Sequence, residues 1–135
     1  MVEVQLAKII IDEKRQDQVI VLKEKNGARS FPIVIGVLEA SSIKMKLSGI
    51  KVPRPLTHDL LQGVIQGLDA VLEKVIIDRL ESSTFHAKLF IKAKSGELKK
   101  IDARPSDSIA LAVRTGSPIF VEEEVIEKAK IMKAE

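Results

Sequence analysis

Two short stretches of this chain, residues 53–61 and 101–114, each place an Arg-Pro pair just before an apolar pattern of helical period. Both stretches combine guanidinium and carboxylate side chains near the expected start of a helix. The first N–H groups of a helix have no partners within the helix, and the helix dipole adds partial positive charge there. An adjacent arginine therefore completes a site suited to an anion such as phosphate.

The polar residues of these stretches are the types that phosphodiester cleavage uses. Arginine holds phosphate oxygens, carboxylates hold a hard divalent cation such as Mg²⁺, and histidine or aspartate moves a proton. The candidate catalytic residues are His58, Asp59, Asp102 and Asp107. The candidate phosphate-binding residues are Arg54, Thr57, Arg104, Ser106 and Arg114. The candidate metal ligands are Asp59, Asp102, Asp107 and Glu39.

The same residues also have structural explanations. Acidic residues in the first turn of a helix complement its dipole, which accounts for Glu39, Asp59 and Asp107. Thr57 or Ser106 can cap a helix, and Arg104 or Arg114 can pair with an acid. Residue types and spacing alone therefore predict a domain with an anion-binding cleft and leave its chemistry open.

Composition narrows the classes of function. The 22 basic and 19 acidic residues leave a net charge of +3, too small for a broad basic face, so a polyanion would have to be held locally. With four Phe and no Trp or Tyr, a platform that stacks several bases is not expected. The absence of Cys excludes disulfides and thiolate catalysis. No apolar run approaches the roughly 18 to 20 residues that cross a bilayer, and no signal sequence opens the chain, so we expect a cytoplasmic protein without a membrane partner.

The first third of the chain is predicted to be a meander of three strands. Alternation from Val2 onward, the apolar residues 19–22 and the segment 29–35 mark the strands. Asn26-Gly27 is typical of a type I′ turn between the second and third strands. Pro32 cannot donate a ladder hydrogen bond, which favours an edge position for the third strand.

The remainder mixes helices and strands without a regular βαβ repeat. We expect a helix after Gly36, a second helix from an N-cap at Thr57, strands over 71–80, 84–94 and 97–103, a third helix over 105–115, a short strand and a final helix. Leu60, Leu61, Val64, Ile65 and Leu68 are predicted to be the buried stripe of the second helix. The expected fold is a single α+β domain over residues 1–135, with a mixed, largely antiparallel sheet, about four helices packed against it, and a tail at 128–135 that frays.

Three segments resemble the motifs of the bifunctional nuclease domain family. They are residues 31–36 with Glu39-Ala40, residues 54–61 (Arg-Pro-Leu-Thr-His-Asp-Leu-Leu) and residues 101–112 (Ile-Asp-Ala-Arg-Pro-Ser-Asp-Ser-Ile-Ala-Leu-Ala), and the likeness runs in order from about residue 2 to 126. The resemblance implies cleavage of both DNA and RNA. It carries functional importance onto Glu39, Arg54, Thr57, His58, Asp59, Asp102, Arg104, Ser106 and Asp107, without identifying the catalytic atoms.

Three hypotheses follow from the sequence. The first is a metal-assisted nuclease in which the two Arg-Pro helix starts form one cleft, with Arg54 and Arg104 on the phosphate and His58 as general acid or base. The second is a non-catalytic module that binds a nucleotide or other phosphorylated ligand in the same cleft. The third is that the polar segments form a subunit interface, for instance in a homodimer.

Overall fold

The computed structural model of the chain describes residues 1–12, 14 and 17–134, and for residues 130–134 it describes the helix without the side chains. The strands are β1 (Val2–Ile10), β2 (Asp17–Glu24), β3 (Ser30–Gly36), β4 (Val71–Glu81), β5 (Thr84–Lys92), β6 (Leu98–Ala103) and β7 (Ile119–Val121). The helices are α1 (Val37–Leu47), α2 (Thr57–Gly67), α3 (Pro105–Thr115) and α4 (Glu123–Ala134).

The strands form one curled sheet in the order β3-β2-β1-β7-β4-β5-β6. Neighbours pair antiparallel except β7 and β4, which are parallel. Phe31 of the edge strand β3 stacks on Phe85 of β5, with ring centroids 5.8 Å apart, although four strands separate β3 and β5. The sheet therefore curls until its two ends approach each other. The predicted single α+β domain with a mixed sheet is confirmed.

Helix α3 lies inside this curl. Its residues Ile109 and Leu111 are fully buried, and the helix packs against α1, α2, β4 and β5. Pro105 is its first residue, where the missing N–H costs nothing, and Gly116 ends it in a left-handed conformation with φ 73°. Both ends of α3 are where the sequence predicts them.

The tight turn of type I′ character lies elsewhere than predicted. Neither Asn26 nor Gly27 has a positive φ, and five residues separate β2 from β3. The two-residue turn is instead formed by Ser82 and Ser83, with φ 49° and 64°, between β4 and β5. Pairing of Glu81 with Thr84 closes a two-residue loop, and positive φ at both loop residues is the type I′ pattern, which matches the twist of the flanking strands.

Pro32 sits as predicted, because β3 is an edge strand that pairs only with β2. Proline there removes a hydrogen bond that no neighbouring strand needs.

Helix α2 corrects two predictions. Leu56, not Thr57, occupies the N-cap position, and its backbone N–H donates to Oδ2 of Asp59 at 3.0 Å. Within the predicted apolar stripe only Ile65 is buried, whereas Leu60 and Leu68 are 58% and 71% exposed. The reason is that α2 packs mainly on α3 at the margin of the helical layer, so much of its apolar surface borders an open groove of about 730 Å³ against β5 and β6.

Helix α4 packs on β3 and β4 and buries Val125, Ile126 and Ala129. The predicted fraying of residues 128–135 stays a prediction, because residue 135 and the side chains of residues 130–134 lie outside the described part. Among the described residues, the helices are all too short or too polar to cross a membrane.

Candidate functional site

The first turns of α2 and α3 meet beside the middle of α1. His58 of α2 is buried, and its Nε2 lies 2.9 Å from Oδ1 of Asp107 in α3. Its Nδ1 lies 2.7 Å from Oγ of Ser42 in α1. An ionised carboxylate can only accept, so Nε2–H donates to Asp107 and Nδ1 accepts the hydrogen bond from the Ser42 hydroxyl. Ser42, His58 and Asp107, one from each helix, are thus connected in a line by hydrogen bonds.

Arg104 extends this line toward solvent. Its Nε donates to Oδ2 of Asp107 at 3.0 Å, and its Nη2 donates to Oε1 of Glu39 at 2.9 Å. The hydrogen bond to Asp107, more than the contact with Glu39, raises the pKa of Arg104. The guanidinium is therefore a permanent positive charge, and at 69% exposure its side chain is reachable by a ligand.

A cavity of about 460 Å³ opens beside these side chains. Its polar lining includes Glu39, Ser42, Thr57, His58, Arg104 and Asp107. The cavity therefore joins residues of α1 and α2 to Arg104 and Asp107 at the start of α3, which are far apart in the sequence.

Asp59 and Arg114 support the site from behind. Arg114 is buried and donates through Nε to Asp59 at 2.8 Å, through Nη1 to the carbonyl of Ala110 and through Nη2 to the carbonyl of Ser42. The hydrogen bond from Arg114, followed by that from the Leu56 N–H, lowers the pKa of Asp59. All three guanidinium nitrogens of Arg114 donate hydrogen bonds that connect α1, α2 and α3. Arg114 therefore stabilises the packing of the helices around the cavity and does not line its surface.

The other predicted residues form no hydrogen bond with this cluster, although Asp102 borders the same groove of about 730 Å³ as His58. The carboxylate of Asp102 is 78% exposed and pairs with Lys88 at 3.3 Å, across β6 and β5. Arg54 is exposed and forms no ion pair with any described residue. Ser106 is buried and borders a separate cavity of about 480 Å³ beside β3.

The predicted metal ligands do not form an ion site in this arrangement. Both oxygens of Asp107 are bound by His58 and Arg104, and both oxygens of Asp59 are bound by Arg114 and Leu56 N–H. A carboxylate oxygen that accepts one hydrogen bond keeps a second lone pair, but the guanidinium groups of Arg104 and Arg114 repel a cation from these two carboxylates. Within the described ranges, no group of three or more His, Cys, Asp or Glu side chains is placed to hold a metal. The paired arginines therefore disfavour a cation at Asp59 and Asp107 in this arrangement, and the predicted metal site stays a prediction.

Ser42 is the one residue of this hydrogen-bonded series that the sequence did not predict. It lies between Ala40 and Ile43, two buried positions of α1, and is itself 7% exposed. A hydroxyl on the buried face of a helix needs a partner, since an unpaired buried polar group is costly. A serine on the apolar face of α1 therefore indicates a buried hydrogen bond. Its partner, His58, lies sixteen positions away and cannot be identified from the pattern of α1 alone.

Comparison with known proteins identifies the family of the chain. The family model described as the bifunctional nuclease domain matches residues 20–134. An uncharacterized protein of Mycobacterium tuberculosis (strain ATCC 25618 / H37Rv) is 41% identical over 132 residues, which are 98% of this chain and 78% of that protein. Bifunctional nuclease 1 of Oryza sativa subsp. japonica is 30% identical over 107 residues, which are 76% of this chain and 32% of that protein. Bifunctional nuclease 1 of Arabidopsis thaliana is 25% identical over 105 residues, which are 76% of this chain and 32% of that protein. The chain therefore belongs to the bifunctional nuclease domain family.

Proposed function

We propose that this chain hydrolyses phosphodiester bonds of DNA and RNA at the cavity where α1, α2 and α3 meet. The proposal is carried by the continuous line of hydrogen bonds from Ser42 through His58 and Asp107 to Arg104, which borders that cavity. Family membership and the names of the plant relatives support the class of reaction.

In this proposal Arg104 binds the scissile phosphate. Its Nε and Nη2 are held by Asp107 and Glu39, while Nη1 has no partner among the described residues. Nη1 can therefore donate to a non-bridging phosphate oxygen without breaking the contacts that orient the guanidinium. The same charge stabilises the negative charge that develops on the phosphate during attack.

His58 is the proposed general base. A water in the cavity passes a proton to the Ser42 hydroxyl as that hydroxyl passes its own proton to Nδ1 of His58. The water oxygen then attacks phosphorus and the bond to the leaving oxygen breaks. The leaving oxygen takes a proton from a solvent water, and His58 later releases its own proton to solvent through the Ser42 hydroxyl. Asp107, bound to Nε2–H, keeps the ring in the required tautomer and stabilises the imidazolium that forms.

The two histidines of the chain provide a matched test. His58→Gln is expected to reduce kcat/KM on labelled single-stranded DNA and RNA by about 100-fold or more, the usual scale of general acid–base catalysis. His86→Gln, on the sheet face away from α3, should cleave like the wild type. Both variants are first checked for an unchanged melting temperature.

Wild-type cleavage by a folded His58→Gln variant would overturn the proposed role of His58. A wild-type protein that is stabilised by nucleotides yet cuts no polynucleotide would support the phospho-ligand module instead.

The role of a metal is tested separately. Because the carboxylates of Asp59 and Asp107 are already neutralised by arginines, we expect cleavage to continue in excess EDTA. Loss of cleavage in EDTA with recovery on adding Mg²⁺ would contradict this expectation and would support metal-assisted cleavage.

A further inference from the structure

A row of two lysines and a phenylalanine crosses the sheet on the face away from α3. Lys74 of β4 lies opposite Phe90 of β5, and Phe90 lies opposite Lys100 of β6. Nζ of Lys74 is 5.1 Å from the ring centroid and Nζ of Lys100 is 5.6 Å from it. The negative face of the ring attracts both ammonium groups and holds two like charges on one small patch.

This patch carries uncompensated positive charge. Lys92 lies two residues from Phe90 on the same face of β5 and is exposed. Lys88, on the other side of Phe90, pairs with both Asp78 and Asp102, each at 3.3 Å, so this group of three side chains carries one net negative charge. In contrast, Lys74, Lys92 and Lys100 form no ion pair with any described residue. Three unpaired ammonium groups thus surround one half-buried aromatic ring.

We propose that this patch, defined as Lys74, Phe90, Lys92 and Lys100, binds a single-stranded stretch of the polynucleotide substrate. On binding, the flexible lysine side chains turn from the ring to successive phosphates, and an unpaired base takes their place against Phe90. A single ring admits one base, which agrees with the low aromatic content of the chain. In a duplex the base faces are covered by their neighbours, so the ring selects unpaired nucleic acid. The inference rests on the nuclease function proposed for the cavity.

Strand β6 connects the patch to the cavity. Four residues lead from Lys100 to Arg104, and the backbone remains extended at Arg104, with φ −74° and ψ 146°. An extended chain advances about 3.3 Å per residue, so the two residues lie roughly 13 Å apart. Because no strand pairs with the outer edge of β6, a polynucleotide can cross that edge from the patch to Arg104.

The test compares two double variants with the same change in net charge. Lys74→Ala/Lys100→Ala removes the patch, and Lys44→Ala/Lys46→Ala removes two exposed lysines from the last turn of α1. Binding of a fluorescein-labelled single-stranded oligonucleotide is followed by anisotropy over a range of KCl concentrations. We expect the patch variant to bind about ten-fold more weakly, with a slope of log K against log [KCl] smaller by about 1.4, or about 0.7 per lost phosphate contact.

The control pair and Phe90→Leu complete the design. The control pair should keep the wild-type slope, and Phe90→Leu should weaken binding while leaving the slope unchanged, since it removes stacking and no charge. Equal losses of affinity in the two double variants would show that only net charge matters and would overturn the proposed binding patch. Equal affinity of wild type for duplex and single strand would overturn the role of an unpaired base.

A small substrate separates this inference from the proposed function. Bis(p-nitrophenyl) phosphate reaches the cavity without touching the patch, so Lys74→Ala/Lys100→Ala should hydrolyse it at the wild-type rate. Loss of this hydrolysis would show that the substitutions disturb the cavity and would overturn the inference. A wild type that binds single strands through the patch yet hydrolyses neither substrate would overturn the nuclease proposal and leave the patch standing.

Discussion

At the scale of single residues, Asp107 has the most demanding position. One carboxylate oxygen accepts from His58 and the other accepts from Arg104. Asparagine has nearly the same shape but carries an NH₂ group in place of one acceptor, so one of the two partners would lose its hydrogen bond. The orientation of both proposed active groups therefore depends on this single carboxylate.

Asp59 gives the residue-scale prediction. Removing one member of a buried ion pair costs roughly 3–5 kcal/mol, and because the Asp59 side chain is 30% exposed we expect Asp59→Asn to lower the free energy of unfolding by about 2 kcal/mol. The pKa of Asp59 is lowered on folding, so its contribution is present above the ordinary value of 3.8 and is lost as pH falls below it.

Urea unfolding at pH 7 and at several values below pH 4 measures both effects of Asp59→Asn. The wild type should lose stability more steeply than the variant as the pH falls below 4. Parallel curves for the two proteins, or an unchanged stability at pH 7, would contradict the support role of the pair Asp59 and Arg114.

At the scale of elements, the site exists because α3 is buried by its neighbours. This helix buries its apolar residues and also three polar ones, Ser106, Ser108 and Arg114. Oγ of Ser108 donates a hydrogen bond to the carbonyl of Arg104 at 2.9 Å. That bond fastens the start of α3, where Arg104 and Asp107 must be held. Helices α1 and α2 then pack on α3 and bring Ser42 and His58 to it.

Two glycines give opposite predictions for these helices. Gly116 ends α3 with φ 73°, so Gly116→Ala should lower the free energy of unfolding by about 1–2 kcal/mol, the cost of a left-handed residue with a side chain. Gly63 lies within α2 with no atom within 4 Å of an added Cβ, so Gly63→Ala should raise it by about 0.5–1 kcal/mol. Chemical denaturation of both variants tests the pair, and a shift of the same sign in both would contradict this account.

At the scale of the whole molecule, the curl of the sheet determines which strands and helices come into contact. It brings β3 toward β5 and encloses α3. Helix α4 covers β3 and β4, and Arg29, just before β3, pairs with Glu123 and Glu127 of α4. The hairpin of β2 and β3 is thereby tied to the end of the chain. The curl leaves the outer face of β4, β5 and β6 free to carry the lysine patch.

The contact between Phe31 and Phe85 is a direct measure of this curl. In a double-mutant cycle with Phe31→Leu and Phe85→Leu, we expect a coupling energy of about 1 kcal/mol, as for other stacked aromatic pairs. The control cycle pairs Phe31→Leu with Phe120→Leu, which lies on β7 and makes no ring contact with Phe31. Its coupling should be near zero. Similar coupling in both cycles would mean that the two ends of the sheet do not meet specifically.

The sequence by itself determined the elements and the neighbourhood of the site. Alternating and helical apolar patterns predicted the strands and the four helices, Pro105 and Gly116 marked the ends of α3, and the two Arg-Pro stretches contain His58, Arg104 and Asp107. These features are readable because periodicity, caps and turn residues are local properties of the chain. The segments that resemble the bifunctional nuclease domain family are likewise short and continuous.

Only the tertiary structure decided which groups contact one another. In the folded chain, Arg114 is buried and bound to Asp59, and Asp102 pairs with Lys88. Ser42 contacts His58, and the apolar face of α2 is largely exposed. None of these contacts is a local property of the chain, because each depends on how far the sheet curls around α3 and on which helices pack against each other. The physical reason is that periodicity tells which face of an element is apolar, whereas long-range packing selects the partner of that face.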